Sequence, residues 1–132
     1  MVRIRGADKM RLTDAEWIVM NAIWDRPVES SVRDVLEIVT PLTGWAYPTV
    51  QTIMVRLAKK KALRSRLRAN TRLYTAVVTR LQARRTAIKS LLDLAFRGSA
   101  KELVQTILRG GWLTERDRNE IAGELDSNQD MP

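Results

Sequence analysis

From Trp45 to Leu63 the chain reads W-A-Y-P-T-V-Q-T-I-M-V-R-L-A-K-K-K-A-L. Val50, Ile53, Met54 and Leu57 fall at i, i+3, i+4 and i+7, which at about 100° per residue forms one apolar stripe of a helix. The other side carries Thr49, Gln51, Thr52, Val55, Arg56 and Lys59: hydroxyls, an amide, a methyl-bearing residue and cations, with no carboxylate. A merely solvated helix face usually mixes both signs of charge, so an acid-free one points to a polyanion. The expectation is a helix, starting near Pro48 and ending near Lys61-Ala62, that enters the major groove of DNA.

The charge map carries the same message beyond this helix. The chain has 132 residues and a net charge of +8. Met1 to Val78 holds fourteen Lys and Arg against seven Asp and Glu, whereas Thr79 to Pro132 holds nine against eight. No acidic residue lies between Glu37 and Asp93, a span that contains twelve basic ones. A surface kept soluble by charge works with either sign and does not need such a gap. Nucleic acid is favoured over an anionic membrane because the basic residues lie on and after a helix that must also pack a core. There is no Cys and no His. Disulfides, the common zinc sites, thiol nucleophiles and histidine acid–base catalysis are thereby excluded, and no cofactor or metal is called for. No apolar run approaches the roughly 20 residues needed to cross a bilayer, and the start lacks a hydrophobic segment of signal-peptide length. The expected setting is soluble and cytoplasmic, without membrane insertion.

Five helix starts are marked by capping-box patterns: Thr13-x-x-Glu16, Ser31-x-x-Asp34, Thr79-x-x-Gln82, Ser99-x-x-Glu102 and Thr114-x-x-Asp117. In such a box the hydroxyl takes an orphan amide of the first turn and the third residue reaches back. The first helix is expected from Asp14 to Trp24, with Trp17, Met20 and Trp24 as core anchors, ended by Asp25-Arg-Pro27. A second runs from Ser31 to about Val39, burying Val32, Val35, Leu36 and Val39, and Thr40 to Gly44 is a turn. Before the first helix, Arg3, Arg5, Lys9 and Arg11 are available to phosphates.

After the opening stretch, Leu63 to Arg68 and Arg72 to Val78 alternate with the strand period, and Ala69-Asn70-Thr71 sits between them. This predicts a β-hairpin with Arg64, Arg66 and Arg68 on one strand face, and Ser65 and Leu67 on the other. The arginines are most economically a phosphate-contacting edge; the bland alternative is an edge strand kept soluble by charge. Three helices followed by a basic hairpin make a winged-helix domain over residues 1–78, in which the third helix reads the major groove and the hairpin lies along the flanking backbone.

Residues 79–132 are of a different kind. A helix from Thr79 to Arg97, stopped by Gly98, lines up Leu81, Ile88, Leu91, Leu92 and Ala95. The next, Ser99 to about Leu108, is expected to bury Ala100, Leu103, Val104 and Ile107. Gly110-Gly111 breaks it before a sixth helix with Ile121 and Leu125, and Ser127 to Pro132 reads as a frayed tail. Three short helices bury this much apolar surface poorly alone, so a two-fold dimer interface is its natural home. The fold class expected is mostly α with a small β-hairpin: a winged helix-turn-helix domain followed by a helical dimerisation segment.

Leu12-Thr-Asp-Ala-Glu-Trp-x-Val-Met-x-x-Ile-Trp24, Gly44-Trp-Ala-Tyr-x-Thr-Val-x-Thr52, Arg56-Leu57, Tyr74, Phe96-Arg-Gly-Ser99 and Leu103-Val104 together resemble the penicillinase-repressor (BlaI/MecI) family. The resemblance covers nearly the whole chain, and the combined pattern is specific where no single piece is. It implies a homodimeric winged-helix repressor on a palindromic operator, with Thr49, Gln51, Thr52 and Arg56 at positions that face DNA. It also implies a dimer built from the last three helices, whose apolar positions Leu81, Ile88, Leu91, Leu92, Ala95, Leu103, Ile107 and Ile121 are the interface residues expected from the periodicity. In several members a membrane sensor triggers cleavage of an Asn-Phe bond in the fifth helix; the matching positions here are Thr106 and Ile107. Pro48 stands where a threonine is common, on the groove-facing side, and Lys61 where a glycine is frequent. A copper-responsive branch carries C-terminal cysteine motifs, which this chain lacks.

The function expected is therefore sequence-specific repression of transcription. Thr49, Gln51 and Thr52 are assigned to base edges, with Pro48 beside them; Gln bonds adenine bidentately, and threonine serves several bases. Arg56, Lys59, Lys60, Arg64, Arg66, Arg68 and Arg72 neutralise phosphates. A low-specificity nucleoid-type or RNA-binding protein shares the charge map but has no need of the hydroxyl and amide set. A protein-binding winged-helix adaptor predicts no salt-dependent retention on DNA. An enzyme lacks the residues from which to build a site.

Overall fold

The computed structural model describes residues 10–26 and 28–128. Arg3, Arg5 and Lys9 of the basic start, Pro27, and the last four positions of the expected tail lie outside the described residues. In chain order the elements are α1 (Asp14–Trp24), α2 (Val32–Thr43), α3 (Tyr47–Lys59), β1 (Leu63–Arg68), β2 (Thr71–Ala76), α4 (Arg80–Ala95), α5 (Ala100–Arg109) and α6 (Glu115–Asn128). Six helices and one antiparallel hairpin are the expected fold class.

Every capping pattern is used. Thr13 with Glu16 and Ser31 with Asp34 form reciprocal boxes. Thr79 with Gln82 and Thr114 with Asp117 do the same, at 2.9 to 3.0 Å in each direction. Ser99 Oγ accepts from the Glu102 amide. Each bond answers an amide that the helix itself leaves unpaired.

The core lies where α1, α2 and α3 meet the hairpin. Val19 and Met20 of α1, Val35 and Val39 of α2, and Val50, Met54 and Leu57 of α3 are fully enclosed, and Leu63 and Tyr74 close the cluster from the strands. Trp17 and Trp24 are half-buried against it, their rings 5.9 Å apart. The hairpin pairs Leu63 with Ala76 through Arg68 with Thr71. Ser30 adds a two-way backbone bridge to Tyr74, at 3.0 and 2.8 Å, which ties the segment before α2 to the second strand.

Several boundaries differ from the sequence expectation, each for a local reason. The second helix continues past Val39 to Thr43, although Pro41 lies inside it. The Thr43 hydroxyl donates to the Val39 carbonyl at 2.8 Å, and Gly44, left-handed at φ 72°, closes the end through its amide to the Thr40 carbonyl. Thr40 to Thr43 is thus helix rather than turn. The third helix ends at Lys59, earlier than expected, because Lys61 turns left-handed at φ 67°. The hairpin turn is two residues, Ala69 and Asn70, both at positive φ, which matches strand twist; Thr71 is already paired. The second strand stops at Ala76, and Ser127 belongs to α6 rather than to a tail. The fourth helix ends at Ala95, before Arg97 and Gly98, both of which adopt positive φ.

The described residues form two compact units divided within α4, after Ser90. The first turns of α4 therefore go with the winged helix: Ala83 and Ser90 are buried, and the Trp24 indole donates to the Val78 carbonyl at 3.0 Å. Arg80 lies over the Trp24 ring and bonds Asp25 at 2.6 Å. The second unit, from Leu91, has no buried side chain among its described residues. Leu103 is half-buried, whereas Ala100, Val104 and Ile107, which the sequence pattern places in a core, are exposed within one chain. Across the loop between α5 and α6, Arg118 donates to the Leu108 carbonyl at 2.6 Å. The Trp112 ring lies against Gly110, where a Cβ would collide with it.

Lys61 supplies a test of the backbone account. A left-handed non-glycine residue is strained, and glycine relieves that strain while costing some unfolded-state entropy. Lys61→Gly is expected to raise stability by about 0.5–1 kcal/mol in urea unfolding; a loss of stability contradicts it.

Candidate nucleic-acid interface

The third helix presents two unlike sides. Val50, Ile53, Met54 and Leu57 are at most 5% exposed, so rotation about the helix axis is fixed. Pro48, Thr49, Gln51, Thr52, Arg56 and Lys59 are all exposed on the other side, with Val55 among them. An α-helix with its side chains is about 10–12 Å across, close to the width of the DNA major groove. The helix opens on Ala46, which offers no side-chain cap, with Pro48 in the first turn. The Thr52 hydroxyl donates to the Pro48 carbonyl at 2.9 Å, so toward a base its oxygen can accept and its methyl can pack. Gln51, Thr52, Val55, Arg56 and Lys59 line a shallow hollow of about 520 Å³.

The hairpin stands beside this helix and carries Arg64, Arg66, Arg68 and Arg72, all exposed. Between hairpin and helix runs a groove of about 580 Å³, whose walls bring together Arg33, Tyr47, Gln51, Val55, Asn70 and Arg72. Arg33 and Tyr47 carry no site assignment from the sequence; Arg33 falls outside the acid-free span, and Tyr47 precedes the apolar stripe. Their signal is three-dimensional, since the groove joins the start of α2 to the start of α3. Tyr74, also on this groove, has its phenol pushed up by burial, which its Arg72 neighbour partly opposes.

The cations are not equivalent. Arg72 donates to the Ser65 hydroxyl at 2.9 Å and stays exposed. Arg66 is gripped by Glu29, its Nε and Nη2 donating to the two carboxylate oxygens at 2.7 and 2.5 Å. Lys60 is half-buried: its ammonium donates to Glu16 at 2.6 Å and to the Arg11 carbonyl at 2.8 Å. Lys60 therefore joins the end of α3 to the start of α1, a role no local pattern announces. Glu16 is fully enclosed. Burial pushes its carboxyl up, but the Lys60 hydrogen bond, the Thr13 amide, the Lys60 charge and the Thr13 hydroxyl outweigh it, and the net shift is below the ordinary value of 4.5.

A core-anchored third helix with a bare polar face, flanked by a basic hairpin, defines a winged helix-turn-helix DNA-binding protein. The model of the penicillinase repressor family matches residues 12–127, and the chain belongs to that family, whose members are DNA-binding transcriptional repressors of the BlaI/MecI type. The penicillinase repressor of Bacillus licheniformis is 24% identical over 119 residues, 90% of this chain and 92% of that one. An uncharacterised 16.5 kDa protein of Latilactobacillus sakei is 32% identical over 82 residues, 62% of this chain, and the match spans 56% of its length. Among solved structures, MepR, a transcription regulator of a Staphylococcus aureus multidrug efflux pump, superposes with a TM-score of 0.50 at 13% identity, over 93% of this chain and 82% of that one; the likeness is one of fold. Among the described residues no helix is long and apolar enough to cross a membrane.

The Glu16–Lys60 pair has a definite pH signature. Because the folded carboxyl titrates below its unfolded value, its stabilisation is complete above about pH 4.5 and is lost as pH falls through the lower folded value. Urea unfolding at decreasing pH is expected to show this acid limb, and Glu16→Gln to flatten it. Lys60→Met at neutral pH leaves a carboxylate enclosed without its cation; the expected cost is about 2–3 kcal/mol, below the ~3–5 kcal/mol of fully buried pairs because Lys60 is partly exposed. An unchanged midpoint contradicts the assignment.

Proposed function

We propose that the chain represses transcription as a homodimer on a palindromic operator, one α3 per half-site, with half-sites about one helical turn or a multiple apart. The observation that carries this is the exposed Thr49, Gln51 and Thr52 set on an acid-free helix whose opposite stripe is locked in the core. Gln51 is the direct reader, able to bond adenine bidentately, and Thr49 and Thr52 complete the base contacts. Pro48 lies on the same side, and Val55 is placed to meet a thymine methyl. Arg56, Lys59, Arg64, Arg68 and Arg72 neutralise phosphates, and Arg33 joins them from α2. Lys60 acts chiefly through α3, holding its end against Glu16.

The last three helices supply the dimer. Leu81, Ile88 and Leu91 of α4 are 65, 54 and 47% exposed, and Ile107 of α5 and Ile121 of α6 are 40 and 38% exposed. Leu92 and Leu103 are half-buried and Ala95 is exposed. Apolar side chains left exposed on these helices need a partner surface, and a second copy provides one with matching residues. We assign relief of repression to proteolysis at Thr106–Ile107 on the signal of a membrane sensor. Both residues lie in α5 and are exposed in a single chain. An inducing β-lactam does not follow from these positions.

Two variants separate base reading from phosphate contact. Gln51→Ala is expected to cost roughly 1–3 kcal/mol on the preferred duplex and to relax preference at one base pair, whereas Lys59→Ala weakens all duplexes alike and flattens the salt dependence by about one phosphate. Identical behaviour of the two across base-pair variants contradicts the division. Ile107→Asp is expected to yield monomers in sedimentation; an unchanged mass contradicts the interface.

A further inference from the structure

One carboxylate stands among the hairpin arginines. Glu29 precedes Ser30, whose backbone is fixed on both sides to Tyr74 of β2, so the carboxylate is carried on a segment that moves with the sheet. It faces Arg66 fork to fork, and the charges of Arg68 and Arg64 also reach it. Both partners keep solvent contact, Arg66 at 55% and Glu29 at 31% of the side chain. A planar carboxylate gripped in this way takes the donors that a phosphate's two oxygens would take. It is neither the cap of α2, which Ser31 and Asp34 form, nor a core group, because its side chain keeps solvent contact.

We propose that Glu29 is an intramolecular stand-in for a DNA phosphate, which occupies Arg66 and thereby sets the affinity of the hairpin for the DNA backbone. The inference rests on the hairpin contacting phosphates, and it makes Glu29 an affinity-determining residue outside the contact surface. Arg64, Arg68 and Arg72 stay available, while Arg66 adds no counterion release as long as its fork is filled. The effect is the same for every sequence, because backbone neutralisation carries no base information. Base discrimination by α3 is left untouched.

The test measures binding of the full chain to a duplex of arbitrary sequence and to a duplex selected by the protein, across a range of potassium chloride concentrations. Glu29→Gln is expected to bind both duplexes about three- to tenfold tighter, with the plot of log K against log salt steeper by about 0.9, the value of one phosphate. Adding Arg66→Ala to that variant returns the slope to the wild-type value. Arg68→Ala in the native background flattens the slope, which tests the hairpin reading by itself. If Arg68→Ala flattens the slope but Glu29→Gln leaves it unchanged or weakens binding, Glu29 is a structural tie and the proposal is overturned while the hairpin reading stands. If neither variant moves the slope, both fall. Thermal unfolding of each variant reports folding, and the double variant, which removes the pair with no net change of charge, keeps the slope comparison valid if Glu29→Gln alone is destabilised.

Discussion

The structure depends on one constraint: α3 must bury one stripe completely and leave the other bare. Val50, Met54 and Leu57 have no exposed surface. Each enclosed aliphatic or Met side chain contributes about 1.5–3 kcal/mol relative to exposure. A rotation that moved Gln51 or Thr52 inward would give up several of these and strand polar groups in the core. The outward direction of the polar face is thus decided by the inward packing, and the hairpin follows from it, because Leu63 and Tyr74 cover the same core from the strand side.

Charged groups then fix the ends of this arrangement. Glu16 closes the cap of α1 through the Thr13 amide while accepting from Lys60 at the end of α3, so one carboxylate ties two helices and a cap. Its other oxygen has no hydrogen-bond partner among the described residues, which makes the Lys60 contact the more important. At the hairpin Glu29 and Arg66 form a second ion pair, on the surface. The two pairs use the same chemistry in different dielectric settings: the enclosed one bears on folding, and the exposed one contributes little to it.

Much of this was legible in the sequence, and the reason is that it is local. The capping pairs three residues apart, the i, i+3, i+4, i+7 stripe and the strand alternation around Ala69 are short-range codes, and the structure uses them. Boundaries were less legible where two local rules competed. Thr40 to Gly44 reads as a turn, yet α2 runs through Pro41 to Thr43 and is closed by the left-handed Gly44. Partners distant in sequence left no trace: Lys60 reads as one more cation of a basic run, and only the fold brings it to Glu16, 44 residues away. The same holds for Glu29 and Arg66, and for Arg33 and Tyr47 on the groove beside α3. In the last two helices the periodicity found the apolar faces, and a single chain leaves them uncovered.

The central claim is that the bare face of α3 reads base sequence. Its most direct measurement is selection of duplexes from a random pool by the full chain, at moderate salt and with excess competitor DNA. Enrichment of one palindromic sequence, lost when Gln51 is replaced by Ala, is the predicted result. Retention governed by salt alone, with no sequence enriched, would contradict it.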